Sequence, residues 1–126
     1  MEWLENYKEG VYRPNIYFDK ENGICTVKGE SFMENAAQFY KELSNWIEQS
    51  CTENILQTLR FEMEYFNSSS AKGFRVMMQK IHQIQIDGYG LKVLWCFPEE
   101  DDNDMEMEGE DLIEDTAVEM ELLQMA

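Results

Sequence analysis

Residues 59–72, LRFEMEYFNSSSAK, begin with an alternating apolar pattern that is followed by three serines. Every second side chain from Leu59 to Tyr65 is apolar, and this period predicts a strand that ends at Phe66 with Tyr65 on its apolar face. An apolar stripe at helical spacing follows, so the serines lie where a strand passes into a helix. The first amides of a helix lack partners within it and carry a partial positive charge. This position suits a helix cap, and it equally suits a phosphate on one of the serines.

Upstream of this stretch, the sequence predicts a hairpin and a helix. Residues 16–19 and 24–28 are short strand-like runs on either side of a turn at 21–23. Ser31 and Glu34 match the capping box, with Ser31 as N-cap, so a helix is expected to start there and to end near Ser50. Its apolar stripe consists of Ala36, Phe39, Tyr40, Leu43, Trp46 and Ile47.

Downstream, residues 91–97 are mostly apolar and predict a buried strand that Pro98 stops. A short helix is expected at 108–115, and the alternation at 118–122 predicts a last edge strand. The predicted order is β-β-α-β-α-β-(α)-β. This order implies an α/β fold, a single domain over residues 1–126 with a mixed sheet of about five strands and helices packed on it.

The charge of the chain is strongly negative. It has 26 acidic and 10 basic residues among 126, for a net charge of -16, and 44% of its residues are hydrophobic. A chain this acidic is not expected to bind nucleic acid or anionic membranes, because phosphate binding requires Lys and Arg. Basic protein surfaces are the more natural partners, although solubility alone explains the acidity equally well.

The location predicted from the sequence is cytoplasmic. No apolar run approaches the ~20 residues of a membrane span, and the first ten residues contain no secretory signal. Cys25, Cys51 and Cys96 are widely spaced without a C-x-x-C pair, so reduced structural cysteines are expected.

Catalytic and metal motifs are weak in this sequence. His82 is the single histidine, and it is expected at the surface; there is no glycine-rich phosphate loop and no acid–base pair. We therefore predict neither an enzyme nor a cofactor. Asp101, Asp102 and Asp104 are candidates for Ca²⁺ or Mg²⁺, but their run lacks EF-hand spacing. A solvated acidic loop is favoured over a dedicated metal site, and a docking surface for a basic partner is a third option.

Several segments in order carry a family resemblance. Residues 31–35, SFMEN, look like a motif S-x-P-E-N at a helix start, and residues 65–72, YFNSSSAK, resemble Y-F-N-T-[SA]-S-x-K. Residues 99–105, EEDDNDM, precede a Gly-Glu step and are similar to an acidic motif ending D-D-E-D-M. These are motifs of the SiaC family of bacterial regulatory phosphoproteins, which are similar to STAS-like anti-anti-sigma proteins. The resemblance covers about residues 14–122.

This resemblance implies a switch protein with a phosphoacceptor at Ser68, where family members commonly have Thr. Asn67 and Ser69 would shape the turn together with Ser70, and Lys72 would counter the phosphate. The implied partners are a serine/threonine kinase of the histidine-kinase-like ATPase type and a PP2C-like phosphatase. In the characterised branch of the family, the unphosphorylated form binds and activates a diguanylate cyclase.

The sequence thus predicts a phosphorylation-controlled binding module. Two alternatives from other classes stay open. One is an acidic protein that binds divalent metal through the loop at 101–104. The other is an acidic mimic of nucleic acid that blocks a basic groove, which would bind in a salt-sensitive way and ignore Ser68.

Overall fold

The central feature is a five-stranded mixed sheet, seen in a computed structural model that describes residues 2–5, 7 and 12–125. The strands lie in the order β1-β2-β3-β4-β5; β1 is antiparallel to β2, and all other neighbours are parallel. This architecture confirms the predicted mixed sheet and the predicted order of elements from β1 onward; the short helix α1 before it was not predicted. The elements are α1 (Glu2–Glu5), β1 (Asn15–Asp19), β2 (Ile24–Ser31), α2 (Ala36–Thr52), β3 (Thr58–Phe66), α3 (Ser68–Ile86), β4 (Lys92–Phe97), α4 (Met105–Thr116) and β5 (Glu121–Gln124).

Helices α2, α3 and α4 pack on one face of the sheet. Phe74 of α3 contacts the rings of Phe61 and Trp95, and Trp46 of α2 contacts Phe18 edge to face. Trp46 and Phe74 are buried, as the helical stripes predict. The opposite face carries polar side chains such as Arg60 and Glu62, which form an ion pair of 2.8 Å. No helix within the described ranges has the length and hydropathy that crossing a bilayer requires.

The predicted capping box at Ser31 is wrong. Ser31 is the last residue of β2, and α2 begins only at Ala36, with Asn35 at the N-cap position and no side-chain cap bond from it. Strand pairing prevails over local capping here, because the β2–β3 ladder continues as far as the pair Ser31↔Phe66. Helix α2 also runs to Thr52, past the expected end near Ser50.

The predicted facing of Tyr65 is also wrong. Gly29 pairs with Met63 but Glu30 pairs with Tyr65, so Glu64 is an extra residue in β3, a β-bulge. The extra residue shifts the alternation by one position. Tyr65 is therefore exposed, and Phe66 instead faces the core, where its ring lies 5.0 Å from that of Phe74.

The last two elements exist but have different bounds from those predicted. Helix α4 begins at Met105, where the Trp95 indole Nε1 donates 2.7 Å to the Met105 carbonyl, and it ends at Thr116. The edge strand β5 begins at Glu121, where pairing with Leu94 of β4 starts, and Val118, expected within the strand, is instead buried in the connection that precedes it.

Candidate functional site

The serine turn, residues 67–70, lies at the carboxyl end of β3 and is held in place by Asn67. The Asn67 Oδ1 accepts a 2.9 Å hydrogen bond from the Ser70 amide and caps α3. Its Nδ2 donates 3.2 Å to the Met33 carbonyl, and its backbone amide donates 3.0 Å to the Ser31 carbonyl. The turn is thus attached to the segment that leaves β2, a contact between residues far apart in sequence.

Ser70 belongs to a buried hydroxyl network. Its side chain is fully buried, and its Oγ lies 2.7 Å from the Ser31 Oγ, which accepts a 2.8 Å hydrogen bond from the Tyr40 hydroxyl. The Ser70 Oγ also donates 3.1 Å to the Ser31 carbonyl. These bonds join β2, α2 and α3 at one point, so the Ser70 hydroxyl has a structural role.

Ser69 caps the other helix. Its Oγ accepts a 3.2 Å hydrogen bond from the Ala36 amide, at the start of α2, and donates 2.8 Å to the Glu34 carbonyl. Since Asn35 supplies no side-chain cap, Ser69 satisfies an amide that α2 would otherwise leave unpaired. The half-buried Ser69 hydroxyl is therefore also engaged in holding the fold.

Ser68 differs from its two neighbours. It is the first residue of α3, it is exposed, and its hydroxyl makes no hydrogen bond within the described part of the chain. Lys72 follows one helical turn later; it is exposed and forms no ion pair with any residue the structure describes. A free hydroxyl thus lies at the positive end of a helix with a cation on the same helical face.

The acidic loop, residues 99–104, follows β4 and lies at the same end of the sheet as the serine turn, because β3 and β4 are parallel. Asp101 accepts hydrogen bonds from the amides of Met105 at 2.7 Å and Glu106 at 2.9 Å, and so caps α4 with both carboxylate oxygens. The Asn103 Nδ2 donates 2.9 Å to the Glu64 carbonyl, which attaches the loop to the bulge in β3. Asp102 and Asp104 are exposed. Across the described residues, no group of three or more His, Cys, Asp and Glu side chains is arranged to hold a metal ion.

Other titratable groups with shifted pKa values or buried atoms include Glu108, the three cysteines and His82. Burial raises the pKa of the Glu108 carboxyl, and repulsion from Asp111 and Asp104 adds to the effect. The three cysteines are free and buried, and burial raises the pKa of the Cys25 thiol to about 12, which keeps it protonated at neutral pH. His82 is half-buried, not at the surface as predicted, and its Nδ1 has no hydrogen-bond partner among the described residues.

Local sequence patterns contain little or no signal for two features of this site. Tyr40 and Ser31 appear in the sequence only as a core aromatic and a helix cap, because their meeting with Ser70 depends on the tertiary fold. The exposed ring pair Phe32–Tyr65, with centroids 5.0 Å apart, depends on the bulge at Glu64. The adjacent aromatic residues Tyr65 and Phe66, which interrupt the alternation, are the one local hint of that bulge.

Comparison with known proteins identifies the family. The sequence profile of the SiaC family of regulatory phosphoproteins matches residues 3–125. Comparison with curated proteins gives no match. SiaC of Pseudomonas aeruginosa, solved in complex with the diguanylate cyclase SiaD that it activates, superimposes with a TM-score of 0.74 at 19% identity, covering 92% of this chain and 96% of SiaC. Apo-SiaC from the same organism gives a TM-score of 0.74 at 19% identity, covering 93% of this chain and 95% of that one. At this identity the structures show the shared fold, and the profile match shows that the chain belongs to the SiaC family of regulatory phosphoproteins.

Proposed function

We propose that this chain is a phosphorylation-controlled protein-binding switch with Ser68 as its phosphoacceptor. The observation that carries the proposal is that the three hydroxyls of the serine turn differ in their hydrogen bonding. Ser69 and Ser70 use their hydroxyls to hold α2, α3 and β2 together, whereas the Ser68 hydroxyl is exposed and free of hydrogen bonds within the described residues. A kinase can therefore reach Ser68 without opening the turn.

The folded state is expected to tolerate the phosphate. A kinase would transfer the γ-phosphoryl group of ATP to the Ser68 Oγ with release of ADP and the hydroxyl proton; a phosphatase would return the hydroxyl by hydrolysis. The phosphate brings about -1.5 to -2 charges and three strong acceptor oxygens. At the first position of α3 it gains about 0.3–1 kcal/mol from the helix dipole, and Lys72 can add a charge-assisted hydrogen bond. The modification thus changes the surface and leaves the core intact.

The target we propose is a diguanylate cyclase, bound and regulated by the unphosphorylated form. The support is family membership and the fold shared with the SiaC that activates SiaD. The chain already carries a net charge of -16, so added negative charge alone discriminates poorly between the two forms. Steric block of the contact surface and the cost of desolvating the phosphate must carry much of the switching.

The enzymes that set the state of the switch are those expected of the family. A serine/threonine kinase of the histidine-kinase-like ATPase type would add the phosphate, and a PP2C-like phosphatase would remove it. The chain itself is then a regulator, and its described residues serve as substrate and binding surface.

The test is phosphopeptide mapping with the kinase encoded in the same genome, followed by cyclase binding with both forms. We expect the label on Ser68, with loss of cyclase binding on phosphorylation. Ser68→Ala should stay unlabelled and bind constitutively, whereas Ser68→Asp should mimic the phosphate only in part, because a carboxylate has less charge and fewer acceptors.

Ser69→Ala is the matched control, since it removes the neighbouring hydroxyl and keeps the acceptor. Labelling of Ser69→Ala but not of Ser68→Ala supports the assignment. Label confined to residues outside the serine turn, or equal cyclase binding by both forms, contradicts the proposal.

Of the two alternatives, the metal-binding one has less support from this geometry. Both carboxylate oxygens of Asp101 already accept hydrogen bonds from backbone amides at the start of α4. A cation would have to break those hydrogen bonds or share those oxygens with the amides. The nucleic-acid mimic predicts binding to a basic protein that salt weakens and Ser68 phosphorylation does not change. The cyclase titration with both forms separates it from the switch.

A further inference from the structure

Two aromatic rings lie exposed side by side near the serine turn. Phe32 and Tyr65 have 38% and 37% of their surface exposed, and their ring centroids are 5.0 Å apart. Tyr12, whose side chain is 64% exposed, is joined to Phe32 through the backbone, because its carbonyl accepts a 3.0 Å hydrogen bond from the Phe32 amide. We call these three residues the aromatic surface. Most other aromatic side chains of the described chain are packed in or against the core.

The backbone is shaped to expose Tyr65. If β3 alternated regularly through Glu64, with no bulge, Tyr65 would face the core like Met63. The bulge turns the Tyr65 ring out, opposite a β2 segment in which Gly29 has a φ of +112°. Phe66 takes the core position and Tyr65 joins an exposed ring pair, and bulges of this kind are frequent next to functional sites.

The aromatic surface adjoins the proposed phosphoacceptor. Phe32 lies in a segment, residues 31–34, whose carbonyls accept hydrogen bonds from Asn67 and Ser69. Ser68 lies between those two donors, and Tyr65 precedes Asn67 by two residues in the same chain segment. Ser68 therefore lies in the short segment that follows Tyr65 and is bonded to the backbone around Phe32.

The surroundings of the rings are acidic. Glu30 pairs with Tyr65 in the β2–β3 ladder, Glu64 precedes Tyr65, and Glu34 follows Phe32 by two residues; all three are exposed. A groove of about 540 Å³ continues from Glu30 and Glu64 to the acidic loop. Lys28 is the basic side chain in the described lining of that groove. Negative charge around exposed aromatic rings is complementary to an apolar segment flanked by Lys and Arg.

The mode of contact follows from the topology. Strands β2 and β3 are interior strands of the sheet, and both are paired on each side. Their ends offer side chains to a partner, but no unpaired strand for β-augmentation. We propose that the aromatic surface is the docking site for a partner segment that presents apolar side chains to Phe32 and Tyr65 and Lys or Arg side chains to the surrounding glutamates. This inference rests on the proposed function for the identity of the partner, and on the geometry for the chemistry of the segment.

The first experiment uses a synthetic peptide of Leu and Lys with its leucines at helical spacing, and follows the amide chemical shifts of the isotope-labelled protein. We expect shifts at residues 30–34 and 64–68. A peptide with every Lys replaced by Glu should not bind. Absence of binding by the Leu/Lys peptide, shifts confined to another surface, or equal binding of the Leu/Glu peptide would overturn the proposal.

Matched variants give the second readout. Phe32→Ala and Tyr65→Ala should each weaken binding of the Leu/Lys peptide by about tenfold or more, as truncation of central aromatic residues does at protein interfaces. Tyr89→Ala removes a ring that is 48% exposed and lies just before β4, at the opposite end of the strands; this variant should bind as the wild type does. Glu64→Lys leaves both rings in place and should also weaken binding, because it replaces one of the glutamates proposed to face the peptide lysines. This variant tests the docking site even if a ring variant does not fold. Affinities equal to the wild type in all of the folded variants would refute the docking site.

A titration with the diguanylate cyclase separates this inference from the proposed function. If the cyclase binds, and phosphorylation of Ser68 abolishes binding, but folded Phe32→Ala and Tyr65→Ala bind normally, the docking site is wrong and the switch stands. If the peptide binds as expected and the wild-type chain binds no cyclase, the docking site stands and the proposed target is wrong.

Discussion

At the scale of single residues, the serine turn separates a structural hydroxyl from a free one. Ser70 is fully buried, and its hydroxyl donates to the Ser31 carbonyl. We therefore assign the Ser31 hydroxyl as the donor to the Ser70 Oγ, its one acceptor among the hydrogen bonds of the described residues. Removing the Ser70 Oγ leaves the Ser31 donor buried and unpaired, which costs more than the bond itself contributes. The Ser68 side chain is exposed, so removal of its hydroxyl leaves no buried group unpaired.

We therefore expect Ser70→Ala to lower the free energy of unfolding by about 1–3 kcal/mol, and Ser68→Ala to change it by less than about 0.5 kcal/mol. Urea denaturation of both variants measures the difference. Tyr40→Phe, which removes the donor to the Ser31 Oγ, is a control for the network and should also destabilise. A loss in Ser68→Ala equal to that in Ser70→Ala would contradict the assignment of roles.

The sequence predicts that this run contains a cap and a candidate phosphosite, but not which serine does what. Serines 68–70 are chemically identical, and their environments come from residues 31–36, which are more than thirty positions away. The family resemblance singles out Ser68, and the burial of Ser70 is a physical reason independent of it. Local pattern could not supply that reason, because burial is a property of the assembled fold.

At the scale of elements, helix starts are decided by contacts from outside the helix. Helix α2 is capped by Ser69 from the neighbouring helix, and α4 by Asp101 from the preceding loop. The Asp101 carboxylate lies at the N-terminus of α4, where it pairs two amides and interacts favourably with the helix dipole. The acidic loop thus contains at least one carboxylate with a folding role.

Asp101→Ala is expected to lower the free energy of unfolding by about 1 kcal/mol, the usual cost of a lost N-cap. Asp102→Ala removes an adjacent exposed carboxylate that makes no hydrogen bond within the described residues, so it should be neutral or slightly stabilising. Thermal unfolding of the pair at low salt provides the measurement. A cost for Asp102→Ala as large as that for Asp101→Ala would show that general loss of charge explains the effect.

Element type was predictable here, whereas element ends were not. The two-residue and helical periods of β3, α2 and α3 arise from burial on one face and are visible in the sequence. The capping box at Ser31 failed because a strand ladder, which pairs Ser31 with Phe66, offered the same residues a competing arrangement. The bulge at Glu64 escaped prediction for the same reason, since register depends on the partner strand.

At the scale of the whole molecule, one face of the sheet is covered by helices and charge is spread over the remainder. Four ion pairs occur among the described residues, and each has side chains partly open to solvent. The chain has 26 acidic residues against 10 basic ones, and most carboxylates of the described residues form no ion pair. Self-repulsion of this excess should destabilise the compact state, and salt should relieve it.

This charge excess allows general screening to be distinguished from a metal site. Sodium chloride at about 0.3 M, which shortens the screening length to several ångströms, should raise the melting temperature relative to low salt. Micromolar Ca²⁺ or Mg²⁺ adds almost no ionic strength and should leave the melting temperature within about 1 °C, because Asp101 is engaged by α4 and the neighbouring carboxylates are exposed. A cation at about 100 times its dissociation constant would stabilise the fold by about 2.7 kcal/mol, a rise of roughly 10 °C for a domain of this size. Differential scanning calorimetry at fixed pH makes the comparison, with Asp102→Ala as the variant that should abolish any shift arising from the loop. A rise of about 10 °C at micromolar metal that Asp102→Ala removes would contradict the prediction and favour the divalent-metal alternative.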